Sequence, residues 1–292
     1  MTSMGTHLYI LLPVHNRREI TVRFVEALAQ QTWREFSLIL IDDGSRDGTA
    51  DAVRKILAEV VVLTGTGDWW WAGCLDQGCR QLATLGVVDE DILLLINDDL
   101  SLAFDFLARA MAEFSTTTDT LLLARQVDAT TGKEIDHGGG VQVDVSHMRF
   151  AAANRAEEIN CLPTRGLFIR WRDLCRAGGF RPAQLPHYMS DYEFTYRAWR
   201  KGLRLRVASS VSVGVQLAQS GESLATVFRL PRSRRFALIF SQRFKNNPVT
   251  WSMFIQLTAP PARRPYLWAK IWVHFLFVAV RCLVVSPPRI DR

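Results

Sequence analysis

Two apolar runs in this chain each end in an acidic cluster. Leu38-Ile39-Leu40-Ile41 runs into Asp42-Asp43-Gly44-Ser45, and Ile92-Leu93-Leu94-Leu95-Ile96 runs into Asn97-Asp98-Asp99. Continuous apolar runs bounded by turn residues read as strands covered on both faces, as in a parallel sheet. Ligands of open α/β sheets bind at the carboxyl ends of the strands, so both clusters are expected to face one crevice. Several carboxylates repel an anion unless a cation lies between them. A nucleotide diphosphate carried on Mg²⁺ or Mn²⁺ is the simplest ligand that satisfies such a crevice.

Strand and helix alternate over the first 115 residues. Strands are expected at Leu8–Leu12, 38–41, Val60–Leu63 and 92–96. Between them the pattern predicts helices over Arg18–Gln31, Thr49–Leu57, a segment ending near Leu85, and Phe104–Phe114. Ile20, Phe24 and Leu28 of the first helix share one face. The alternation predicts a doubly wound, mostly parallel sheet with right-handed crossovers. Beyond Leu121–Ala124 the regularity fades. Residues 128–165 are turn-rich with short β runs and read as antiparallel additions, Thr164–Ile169 returns to strand, and Asp191–Lys201 is helical. A hydrophobic content of 48% supplies ample core for a body over 1–222, with halves at about 1–115 and 116–222.

Charge divides the chain at the same place. Residues 223–292 carry twelve Lys or Arg against one acid, so the net charge of +6 belongs to this extension. No nucleic-acid partner is expected for the body. Five scattered cysteines lack zinc-site spacing and read as thiols in a reducing compartment. Leu8–Leu12 is cut short by Pro13 and reads as a strand, not a targeting core, so a cytoplasmic location is expected. A dinucleotide dehydrogenase is disfavoured, since no Gly-x-Gly-x-x-Gly follows the first strand.

Each local motif admits a functional and a structural reading. Pro13-Val14-His15-Asn16-Arg17 is a place for a base or phosphate, or an ordinary strand-to-helix turn. The Asp43 loop is no calcium loop, because its twelfth position is Arg54 where a bidentate Glu is needed. Asp47 or Thr49 is expected to cap the next helix. Asn97-Asp98-Asp99 suits a hard cation or a capping turn. Gly67-Asp68-Trp69-Trp70-Trp71-Ala72-Gly73 reads as a loop with at least one exposed indole, or as a plug over the sheet. Ser190-Asp191-Tyr192-Glu193 opens a helix whose positive end keeps Asp191 ionised, ready to accept a proton; an acidic first turn is the plainer reading. His15, His137, His147 and His187 show no ligand-like spacing and read as turn or surface histidines.

The extension is apolar and aromatic from about Ala237, with Tyr266–Val285 interrupted only by Lys270, His274 and Arg281. A helix lying in a membrane interface fits this pattern, with Trp251, Trp268 and Trp272 at headgroup level and Lys/Arg on anionic lipid. A span and a packing or oligomer contact are the other two readings.

In this order the motifs resemble the family 2 glycosyltransferases, of the GT-A fold, from about Leu8 to Leu205, and their non-processive, rhamnosyltransferase-like bacterial members in particular. The resemblance implies donor binding by Pro13, His15, Asn16, Arg17, Asp42, Asp43, Trp70, Trp71, Gly73 and Asp98. It implies a metal held by Asp99 with Asp98, an acceptor side at Arg165, Gly166 and Glu193, and Asp191 as catalytic base. Three departures stand out: Asn97 replaces the first Asp, Ser190 replaces Glu, and no histidine lies between His187 and His274. The processive Gln-x-x-Arg-Trp signature is absent, so addition of a single sugar is expected. The implied activity is inverting, metal-dependent transfer from a nucleotide diphosphate sugar to an acceptor hydroxyl on a glycan or lipid-linked saccharide. The cofactor is Mg²⁺ or Mn²⁺, and the place of work is the inner face of the cell membrane, met through the extension; homo-oligomerisation is left open. The competing readings are a non-catalytic nucleotide-sugar or glycan-binding scaffold, and a sugar nucleotidyltransferase, which would want a Gly-rich basic loop after the first strand.

Overall fold

β1 (Leu8–Val14), β2 (Phe36–Asp42), β3 (Val61–Thr64) and β4 (Ile92–Leu95) pair in parallel, as their continuous apolar runs predict. The computed structural model describes residues 6–216, 227, 228 and 230–284. Side chains of β1 alternate between two cores. Leu8, Ile10 and Leu12 meet α1 (Arg18–Ala29) and α4 (Phe106–Ser115), joined on that side by Val53 of α2 (Thr49–Arg54). Leu11, with Ile39 and Ile41 of β2, meets α3 (Trp70–Thr84), α5 (Trp171–Ala177) and α6 (Ser190–Arg200). The layers are therefore helix, sheet, helix, with the strand ends left open for a ligand. Gly78 lets α3 lie close to the sheet, since a Cβ there would meet Ile41 Cδ1 at 2.7 Å.

The eight-stranded sheet runs β3-β2-β1-β4-β9-β6-β10-β5. β6 is Thr120–Asp128, β9 is Leu167–Arg170 and β10 is Arg204–Val215. β9 is antiparallel to both neighbours, β4 and β6, and so enters the middle of the sheet. Antiparallel additions were expected over residues 128–165, and a strand over Thr164–Ile169; it is this later strand that runs antiparallel. The burial of all four β9 residues shows why the run is apolar throughout. Gly166 turns the chain into β9 at φ +86°, donating to Leu95 O and accepting from Ala124 N, both at 2.9 Å. β5 (Leu100–Leu102) closes the far edge against β10, and no periodicity announced it. β7 (Val141–Asp144) and β8 (Arg149–Ala152) form a separate hairpin.

The extension is part of the body in packing terms. The expected boundary at 222/223 lies outside the described residues. α8 (Pro248–Thr258) starts on an Asn247 cap and buries Phe254 completely with Leu185 and Met189, beside Phe150 and Tyr192. α9 (Arg264–Val284) packs Leu267 with Ile255 and Ala259, against Met148 of the hairpin turn. Buried Arg235 of α7 (Arg232–Ile239) donates to Cys282 O at 3.0 Å, fixing the far end of α9. Burying one Phe side chain contributes roughly 1.5–3 kcal/mol, so α8 is held firmly. Among the described residues no helix is long and apolar enough to cross a membrane.

Candidate active site

Three loops at the carboxyl ends of β1, β2 and β4 lock into one another. His15 Nδ1 lies 2.5 Å from Asp43 O, and Asn16 Nδ2 lies 2.8 Å from His15 Nε2. A carbonyl only accepts, so Nδ1 carries the proton and Nε2 accepts from the amide. Asn16, at φ +49°, donates its N–H to Ser45 Oγ and accepts from Arg46 N at its Oδ1, each at 2.8 Å. Asp42 Oδ1 accepts from Ser45 N at 2.8 Å. Pro13 lies within β1, paired with Ile41, and the strand runs one residue further to Val14, beside Asp42. Asp47 joins the starts of α1 and α2, accepting from Arg18 N at 3.0 Å and Thr49 N at 3.1 Å.

Asp43 has a structural task. Its Oδ1 accepts from Gly67 N at 2.8 Å and its Oδ2 from Trp70 N at 3.1 Å, so both oxygens hold the segment that leads into α3. That segment corrects the expected tryptophan loop. Trp70, Trp71 and Gly73 stand in the first turn of α3, and none of the three indoles is exposed. Trp69 and Trp71 pack against the core, and Trp70 stacks at a tilt on His187, with 5.5 Å between centroids. Gly73 leaves room for Trp69, whose Cβ would lie 3.2 Å from an added Cβ.

The acidic pair after β4 divides by burial. Asp98 has a side chain 1% exposed, receives Thr21 Oγ1 at 2.7 Å and lies 2.9 Å from Arg17 Nη1. Burial pushes its carboxyl up from the ordinary aspartate value, against the pull of Arg17 and Thr21. Asp98 is thus turned into the protein, held by Thr21 and Arg17. Asp99 is 27% exposed and meets Arg17 Nη2 at 3.1 Å through Oδ2. Asn97 Oδ1 is buried without a hydrogen bond, an acceptor held in reserve beside it. Among the described residues no three His, Cys, Asp or Glu gather as a metal site. One carboxylate fits a Mg²⁺- or Mn²⁺-type cation that takes its other ligands from diphosphate and water.

The second half of the site hangs on the entry to β9. Trp71 Nε1 donates to Thr164 Oγ1 at 2.9 Å. Asp191 Oδ1 accepts from Tyr192 N at 2.9 Å. Burial raises the Asp191 carboxyl above the usual range, opposed by the Tyr192 N–H and by the Arg165 guanidinium. Asp191 therefore stands at the first turn of α6 beside Arg165, while Gly166 acts in the backbone turn described above. Glu193, the other expected acceptor-side carboxylate, is 2% exposed and paired with Arg197 at 2.8 Å and Arg181 at 3.4 Å. It braces α6 on the loop after α5, since Arg197 also donates to Gly179 O at 2.7 Å.

Three further residues, His187, Arg243 and Lys245, enter the site without a sequence signal of their own. His187 is packed between Trp70 and Tyr188, with 4.4 Å to the Tyr188 centroid, and is not a surface histidine. Burial and then the nearby Arg243 charge push it down to about 4, so it is neutral at pH 7. Lys245 stands near enough to Arg165 for the two charges to interact, and burial and that repulsion lower its ammonium. Its carbonyl receives Trp251 Nε1 at 3.1 Å, which ties the segment before α8 to that helix. Arg165, Arg243 and Lys245 thus bring positive charge near Asp191 and His187.

An α/β sheet with interlocked acidic loops at its strand ends, and an aspartate on a facing helix, defines a nucleotide-handling transferase class. The sequence pattern of Glycosyl transferase family 2 matches residues 9–169, and that of Glycosyl transferase family group 2 matches residues 92–289. The chain belongs to the glycosyl transferase family 2; it is a glycosyltransferase with the GT-A fold. Among solved structures it is similar to the mannosyltransferase PcManGT from Pyrobaculum calidifontis, in complex with GDP-Man and Mn²⁺. That pair shares 16% identity over 96% of this chain and 75% of the other, with a TM-score of 0.58. S. aureus TarS 1-349 with UDP-GlcNAc shares 15% identity over 94% of this chain and 82% of that one, with a TM-score of 0.55. GalNAc-T7 with UDP, GalNAc and Mn²⁺ shares 15% identity over 78% of this chain and 48% of that one, with a TM-score of 0.57. At these identities the likeness is one of fold. No curated protein matches the sequence.

Proposed function

We propose that the enzyme transfers a single sugar, with inversion, from a nucleotide diphosphate sugar to an acceptor hydroxyl of a glycan or lipid-linked saccharide at the inner membrane face. The observation that supports this reading is Asp191 at the first turn of α6, its Oδ1 accepting from Tyr192 N at 2.9 Å and its carboxyl within reach of the Arg165 charge. The acceptor O–H gives its proton to the Asp191 carboxylate as the oxygen bonds the anomeric carbon. The bond from that carbon to the diphosphate oxygen breaks on the opposite face, and the nucleoside diphosphate leaves with its electron pair. Asp99 would hold a Mg²⁺ or Mn²⁺ ion, which supplies charge to the leaving diphosphate when bound. Arg165, Arg243 and Lys245 add fixed positive charge near Asp191 and His187. The interlocked 13–17 and 42–46 loops present a preformed wall to the nucleotide, which favours this reading over a scaffold that folds around its partner. GDP-Man in PcManGT and UDP-GlcNAc in TarS support a nucleotide-sugar donor.

A screen of nucleotide diphosphates by thermal shift, with and without Mn²⁺, tests the donor half. Stabilisation by one base type that requires the metal is expected. Hydrolysis of the matching nucleotide sugar should depend on Asp99, and a protein that binds glycan but no nucleotide would favour the scaffold instead.

A further inference from the structure

α9 has two faces of different character. One packs Leu267, Phe275, Val278 and Cys282 inward, against α7 and α8. On the other, Tyr266, Val273, Leu276, Phe277, Val280 and Val284 are 55–70% exposed. Their spacing of seven, three, one, three and four places them on one stripe of a helix that turns every 3.6 residues. Lys270, His274 and Arg281 fall along one border of that stripe, all exposed. Arg281 lies over the Phe277 ring at 5.8 Å, so its charge is carried at the edge of the apolar face. No Asp or Glu occurs between residues 223 and 290. A contiguous apolar stripe of this extent on a folded surface marks a contact site.

We infer that this face of α9 lies flat on an anionic lipid bilayer, with the apolar stripe in the headgroup–acyl boundary and Lys270 and Arg281 on the lipid phosphates. Charge complementarity selects this occupant. Two copies pairing stripe to stripe would bring the basic borders together with no acid on the helix to offset them. Among the described residues α9 is not long and apolar enough to cross a membrane, whereas lying in the interface needs only one apolar face and a basic edge. The docking also orients the enzyme. Lys270 Nζ lies 3.4 Å from His147 O, and Met148 packs under α9, so the β7–β8 hairpin is held to the docking helix. The inference deepens the reading that the enzyme works at a membrane face, and it stands independently of the transfer chemistry.

The test uses the full chain with vesicles of phosphatidylcholine alone or mixed with phosphatidylglycerol. Co-sedimentation should rise with phosphatidylglycerol and weaken, without vanishing, in high salt. The double substitution Val273→Asp and Phe277→Asp should reduce partitioning at least tenfold, with unchanged melting temperature and unchanged Mn²⁺-dependent nucleotide binding. Lys270→Gln with Arg281→Gln should erase the preference for the anionic lipid. Equal partitioning of the aspartate variant would overturn the inference. So would a wild-type protein that ignores vesicles, whether light scattering shows a dimer that the aspartates dissolve or a monomer whose stripe its own chain covers. Vesicle binding without any nucleotide binding would leave the inference standing and remove the transfer reading.

Discussion

Trp71 donates its indole N–H to Thr164 Oγ1 at 2.9 Å, across 93 residues of sequence. Two residues before Thr164, Leu162 pairs through its N and O with Thr195 Oγ1 at 3.0 Å, so the start of α3, the approach to β9 and α6 are held in series. Trp71→Phe keeps the ring and removes the donor. A loss of about 0.5–1.5 kcal/mol in stability is expected by urea denaturation. Turnover should fall by more than nucleotide affinity does, because the bond positions the base and not the donor.

Asp191→Asn is expected to lower transfer by about 10²–10⁴-fold while nucleotide affinity is kept. Because burial raises the Asp191 carboxyl, the acid limb of kcat/KM should lie above pH ~4, the ordinary aspartate range. The linkage has a definite sign. The native protein holds this proton to a higher pH than the unfolded chain, so ionising Asp191 opposes folding as pH rises past the unfolded value. The asparagine variant should therefore melt higher than wild type at pH 7 and no higher at pH 3. Equal or lower melting at pH 7 would contradict the buried, raised carboxyl.

Asp99 and Asp98 should separate cleanly. Asp99→Ala should abolish Mn²⁺-dependent nucleotide binding in calorimetry and leave the melting temperature near wild type. Asp98→Ala strips partners from Thr21 and Arg17 and should destabilise by about 1–3 kcal/mol. If Asp98→Ala instead keeps full stability and loses only metal, the two assignments are reversed.

Glu193→Ala leaves Arg197 buried without its carboxylate, and a loss of about 3–5 kcal/mol is expected. Glu193→Gln should recover part of that stability and retain transfer. A folded Glu193→Gln enzyme without activity would move Glu193 into the chemistry.

Lys245→Ala should reduce kcat/KM about tenfold, since it removes a positive charge that interacts with Arg165. Raising ionic strength should weaken the wild type more than the variant, which has less positive charge to screen.

The sequence by itself determined the parallel strands, the acidic loops at their ends and the amphipathic last helix. These follow from local causes: apolar runs, turn residues and a 3.6-residue period act within a dozen positions. Tertiary structure alone decided which carboxylates face the cleft. Asp98 and Asp99 are neighbours, yet Thr21 and Arg17 of another element turn one inward. Asp191 and Glu193 share one helical turn, yet Arg181 and Arg197 take one of them out of the site. The antiparallel entry of β9 into mid-sheet, and the approach of Lys245 to Arg165 eighty residues away, likewise rest on long-range pairing. Sequence periodicity reports which face of an element is buried and is silent on what buries it.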